Sequence, residues 1–267
     1  MDPLLVTIYC YTFFGLIGLC VGSFLNVLIY RWPEGMSIVS PPSHCTKCDY
    51  QLKWYDNIPV ISYIMLGGKC RKCGEHISIR YTIVEITNCL LWILSYNLNS
   101  QNIPLAVIYA LVTSIFICIF FIDIEHKIIL DRFNISIAVL ALIRFFFVSK
   151  EYGNLLNAVL DGLLGSVIAG GFFLLMFYFS LVVLKKEGLG GGDIKFMFAT
   201  GLLLGWKNIF LSVLIASLSA AIILTVAQKI RKDDKDHEYP FAPYLVIGAV
   251  ISMFFGTQLI NFYLSLF

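Results

Sequence analysis

Charge is scarce in this sequence: only 13% of its 267 residues are Asp, Glu, Lys or Arg. A soluble domain of that length covers its core with charge, so the shortage excludes one. A strong excess of either sign is also missing, with 19 Lys plus Arg against 17 Asp plus Glu, and nothing in that balance calls for nucleic acid. A basic leader ahead of the first apolar run is absent. Asp2 stands there instead and no clear small-residue cleavage site follows, so no cleavable signal peptide is expected. No internal repeat and no low-complexity tract stands out. What fills the chain is apolar: 59% hydrophobic residues and a mean hydropathy of +0.84. Several runs approach the roughly 20 residues that span hydrocarbon. The expected fold is an all-α polytopic membrane protein.

Taken in order, residues 4–30 form a first span, closed by Arg31 and Pro33 with Tyr30 and Trp32 at the interface. The one substantial polar segment, 31–80, carries Arg31, Lys47, Lys53, Lys69, Arg71, Lys72 and Arg80, which places it in the cytoplasm by the positive-inside rule. Further apolar runs cover 81–96, 103–122, 133–148, 163–184, 195–206, 208–228 and 241–266. The run 195–206 is long enough for only about 18 Å of helix against a core of about 30 Å, and reads as a half-span. About eight transmembrane segments result, and every Lys and Arg except Arg144, Lys150 and Lys207 then faces the cytoplasm. The expected divisions are a first span at 1–30, a small cytoplasmic domain at 31–80 and a membrane-embedded portion at 81–267.

Four of the eight cysteines, Cys10, Cys20, Cys89 and Cys118, lie in apolar runs as small hydrophobes. The others form two C-x-x-C pairs, Cys45 with Cys48 and Cys70 with Cys73, 21 residues apart. Two such turns close a tetrahedral thiolate shell around Zn²⁺, a structural site because no coordination position stays open. The competing reading is disulfides or a redox pair, which a reducing compartment disfavours. His44 and His76 sit beside the set without being needed by it.

The stretch Gly188-Leu189-Gly190-Gly191-Gly192-Asp193-Ile194-Lys195 breaks two apolar runs with four glycines in five positions and ends at a carboxylate. Such a backbone is free to approach another segment closely. A second charged knot, Asp123 to Arg132, closes the run 103–122 on the same side. Two carboxylates from distant chain positions are what an acid peptidase needs: close like charges share a proton, one activating water and the other polarising the carbonyl. Ionisable residues near spans equally fit a proton-coupled transporter, with Arg144 joining Asp123 and Asp193 in a relay.

Gly190-Gly191-Gly192-Asp193 resembles the G-x-G-D segment of membrane aspartic peptidases, and Asp123 with Ile129-Leu130-Asp131 resembles its partner in one branch, the type IV prepilin peptidases. Gly22 to Val27, Tyr30-Arg31, the four cysteines, Trp54 to Pro59, Arg80-Tyr81 with Glu85, and Pro240 to Pro243 are similar to other segments of the longer bacterial members. The chain departs from the pattern at Leu130, where proline is usual, and at Glu125, where aspartate is common. The resemblance implies Asp123 and Asp193 as the catalytic pair, with Gly190, Gly192, Glu125, Asp131 and Lys195 supporting it. It further implies removal of the short basic leader of prepilins or pseudopilins at the cytoplasmic face of the lipid bilayer, and N-methylation of the new terminus with S-adenosylmethionine. No fingerprint for that cofactor can be picked out of the residues.

Overall fold

The computed structural model describes residues 3–149, 151–185, 189–231 and 239–266. Lys150 and Gly188 lie outside them. Among the described residues all regular structure is helical: α1 (Pro3–Arg31), α2 (Ile61–Met65), α3 (Arg80–Leu98), α4 (Ile103–His126), α5 (Asp131–Val148), α6 (Leu155–Phe179), α7 (Gly191–Arg231) and α8 (Ala242–Leu264). The chain divides into two compact units, Met1–Cys118 and Ile119–Phe267, so the division falls inside α4. Helix α3, which the expected boundaries place with the membrane-embedded portion, belongs to the first unit.

In the first unit α1 and α3 run antiparallel over a seam of small residues. A Cβ on Gly18 would lie 2.9 Å from the Cα of Cys89, and one on Gly22 would lie 2.8 Å from the Cα of Glu85. Helices gain contact in lipid by such close approach, because hydrocarbon offers no hydrophobic drive between them. A buried polar ladder locks the register: Asn88 Nδ2 donates to the Gly18 carbonyl at 2.7 Å, the Ser114 hydroxyl to Asn88 Oδ1 at 2.7 Å, and Trp92 Nε1 to Ser114 at 2.9 Å. Phe14, Trp92, Tyr96, Ala106 and Ala110 form the apolar core beside it.

In the second unit α7 packs against α5, α6 and α8. It is broken at Gly205, whose φ of 76° and ψ of 170° no helix contains. Glycine is required there twice over, by the positive φ and because a Cβ would collide with Asp161. Gly162 and Gly170 of α6 meet Leu202 and Phe198 of the first leg, whereas Gly248 and Gly256 of α8 meet Ser212 and Asn208 of the second. Asn208 thus lies far from the start of α8, and the second leg returns toward that start. The expected half-span is the first leg of this hairpin, so each of the eight expected segments is helical. By length and composition five stretches suffice to cross a membrane, Leu4–Arg31, Ile103–His126, Leu155–Val183, Gly191–Val226 and Ala242–Leu264. Helices α3 and α5 carry more polar side chains.

Candidate functional site

The four cysteines 45, 48, 70 and 73 converge, with all Sγ atoms within 4.8 Å of one another and Cys45–Cys73 and Cys48–Cys70 each at 3.9 Å. A tetrahedron with Zn–S bonds of about 2.3 Å has edges of about 3.8 Å, so the set fits a metal ion of that size. The two turns repeat one construction. In each, the first cysteine's N–H donates to the carbonyl five residues on, the residue four on donates back, and that residue is left-handed: Asp49 at φ 53° and Gly74 at φ 73°. Antiparallel bridges His44–Gln51 and Lys69–His76 close them identically. The sequence does therefore hold an internal repeat, 44–51 with 69–76, too short to be apparent beyond its cysteines. Backbone N–H groups of Cys73 and Lys72 bring the Cys70 thiol down to about 6, readying it as a thiolate. Cys48 is held up at about 12: the Tyr50 N–H works against this, but burial and the other three sulfurs prevail. Four clustered thiols cannot all ionise without a cation among them. His44 Nδ1 lies 3.0 Å from the Pro42 carbonyl oxygen and His76 is exposed, so neither joins the set.

Buried Asp56 ties the module together, accepting from Arg71 Nε at 2.8 Å, Tyr50 OH at 3.2 Å and the Lys53 N–H at 3.3 Å. Burial alone would raise its pKa, but the Arg71 guanidinium and these donors hold Asp56 below the usual carboxylate range. Sequence reasoning missed this role although Trp54 to Pro59 stood out as a motif.

Asp123 and Asp193 both lie in the second unit, close enough for the charge of the first to act on the second. Asp193 is the third residue of α7, and its carboxylate accepts the Gly190 N–H from the position before the helix, one half of a capping box. Asp123, in the last turn of α4 and only 6% exposed, accepts the Ala242 N–H at 3.0 Å on Oδ2. Ala242 opens α8, so that N–H has no partner within its own helix. Each carboxylate is thus held by a helix N-terminus, whose partial positive charge favours an anion.

Two contacts join the loop after α4 to the start of α7. Lys195 Nζ grips Asp131 with both oxygens, at 2.8 and 2.9 Å. A Cβ on Gly192 would sit 3.0 Å from the Cβ of Ile129, so glycine allows this approach. Gly190 borders the Asp193 carboxylate, with a hypothetical Cβ 3.2 Å from Oδ2. Glu125 is exposed on the last turn of α4. Ala242 was not singled out from the sequence, because a backbone donor leaves no residue-type signal. Pro243 after it, a proline in a first helical turn, was the available clue.

Residues 16–98 match the bacterial peptidase A24 N-terminal domain, and residues 110–225 the type IV leader peptidase family. Among curated relatives, the prepilin leader peptidase/N-methyltransferase of Pseudomonas aeruginosa is 30% identical across 94% of this chain and 92% of its own length. That of Legionella pneumophila is 31% identical across 96% and 95%. The Myxococcus xanthus protein of the same name is 35% identical across 79% of this chain and 61% of its own. No solved structure matches. The transporter reading gains no support from any of this. Matching both domains in order along nearly its whole length, the chain belongs to the type IV leader peptidase family.

Proposed function

We propose that this protein removes the basic leader of prepilins or pseudopilins with Asp123 and Asp193 as the catalytic pair, and N-methylates the exposed residue using S-adenosylmethionine. The convergence of two carboxylates from separate helices, each held by a helix N-terminus, carries the reading. Two adjacent carboxyls share one proton at low cost, and the positive helix ends offset the remaining charge. The ionised member takes a proton from the attacking water while the protonated member donates to the scissile carbonyl. The Ala242 N–H fixes Asp123 for this, and the Lys195–Asp131 pair with the close Gly192–Ile129 contact holds the loop in register with α7.

The membrane of this reading is the bacterial cytoplasmic membrane with the dyad facing the cytoplasm, which the basic segments on that side support. A substrate whose basic leader stays inside while its apolar helix sits in lipid then presents its scissile bond at this depth. Cys45, Cys48, Cys70 and Cys73 hold Zn²⁺ as a structural ion.

The test is leader removal from a prepilin by purified protein in detergent. Asp123→Asn and Asp193→Asn are each expected to slow cleavage by about 10²–10⁴-fold. Full-rate cleavage by either variant sinks the dyad. Mass spectrometry of the product should show one added methyl group only when S-adenosylmethionine is present.

A further inference from the structure

The first unit contains a cavity of about 610 Å³. That lies within the roughly 300–1,000 Å³ of small-molecule sites. Its lining includes Ser23 and Asn26 of α1, Tyr63 of α2, and Tyr81, Thr82 and Glu85 of α3. Nothing in the peptidase chemistry uses these residues.

Glu85 carries the argument. It is only 7% exposed, yet its partners among the described residues are neutral: Oε2 accepts the Val60 N–H at 2.8 Å and the Ser23 hydroxyl also donates to the carboxylate. The two guanidiniums that also line the cavity are engaged elsewhere, Arg31 with the Ser37 and Pro41 carbonyls and Arg71 with Asp56, and a buried carboxylate with no cation of its own suits a positive ligand.

The backbone beside it is strained to serve the same group. Val60 sits at φ 62° and ψ −49° between the Pro59 carbonyl and the Ile61 N–H, which bond at 2.6 Å in a γ-turn. A β-branched residue at positive φ is held there only when its surroundings demand it. The turn aims the Val60 N–H at Glu85 and so fixes the carboxylate's position.

Two further polar atoms in the lining are buried and unpartnered. Asn26, 3% exposed, donates its amide to the Gly22 and Tyr81 carbonyls and leaves Oδ1 free; Thr82 Oγ1 is also free. Free acceptors suit the amino group of a purine or the hydroxyls of a ribose.

We infer that this cavity is the S-adenosylmethionine pocket, with Glu85 facing the cationic methionine end and Asn26 and Thr82 meeting the nucleoside. The inference rests on the methyltransferase half of the proposed function. Its test is equilibrium binding to the full-length protein in detergent, independent of turnover. Glu85→Gln keeps an acceptor for Val60 and, by removing a buried charge, should leave the ligand-free melting temperature unchanged or raise it. It should weaken S-adenosylmethionine by about 10-fold or more. 5′-Methylthioadenosine, which has the nucleoside but no cationic end, should bind wild type and variant about equally. Photocrosslinking of the bound ligand should label peptides of α1 or α3.

Unchanged S-adenosylmethionine affinity in Glu85→Gln, or crosslinks confined to α5–α8, overturns this pocket while product methylation leaves the transferase reading standing. A wild type that neither binds S-adenosylmethionine nor methylates product overturns both.

Discussion

Lys195 and Asp131 are joined on the surface, with side chains 59% and 61% exposed. Such a pair contributes about 0–1 kcal/mol to stability, too little to explain a motif by energy alone. Its value is positional, since it ties α7 two residues after Asp193 to the first residue of α5. Lys195→Asp or Asp131→Lys alone should slow leader cleavage by about 10-fold with little change in melting temperature. The charge-swapped double variant should recover most of the rate, the coupling that a double-mutant cycle measures. If the swapped pair stays as slow as either single variant, Lys195 acts through its own charge on the dyad instead. The other motif residues divide by the same logic: Gly192 acts by having no Cβ beside Ile129, and Gly190 by its backbone N–H to Asp193.

Helix ends place both carboxylates, and the α4–α5 connection shows how little of that depends on one residue type. Lys127 leaves α4 at φ 54°, and Leu130 enters α5 at φ −73° and ψ 132°, the region that proline's ring would lock. The chain therefore holds at Leu130 the backbone angle that a proline there would impose. Leu130→Pro should raise thermal stability by about 0.4–1 kcal/mol through the unfolded chain and leave cleavage intact; a lower melting temperature would show that the Leu130 N–H or the Ile129 conformation is needed as it stands. The elements themselves were legible because apolar run lengths measure spans, and the converging cysteines because few residue types perform their chemistry. The pairing of Asp131 with Lys195 was not, since nothing local links positions 64 apart. The reversal at Gly205 was visible only as a short run, because the break is a backbone angle and its partner, Asp161, lies on another helix. Glu85 appeared as part of a motif without a role, because its burial and its bond from the Val60 N–H, 25 positions away, leave no local signal.

At the scale of the whole chain, two compact units divide the work that one apolar composition conceals. The second has helices packed face to face. The first adds to its helix pair a polar segment with two isolated bridges and a five-residue helix, and Cys70 is its one buried hydrophobic residue between Met36 and Ile79 among the described residues. So small a core cannot order that segment alone, and on the proposed zinc reading metal binding supplies the missing free energy. One zinc per chain is expected by elemental analysis, lost in Cys45→Ser and Cys70→Ser. Because the ligands bind as thiolates, protons compete with the ion: zinc stays bound at neutral pH and is released as pH falls. Hydrogen exchange after chelation should show residues 43–77 losing protection while α5–α8 keep theirs. Methyl transfer should fail with the metal, because the γ-turn at Val60 that fixes Glu85 is anchored in this segment. Zinc-free protein with undiminished protection over 43–77 would mean that the cysteine turns fold by their own hydrogen bonds, and the metal would then have no structural task.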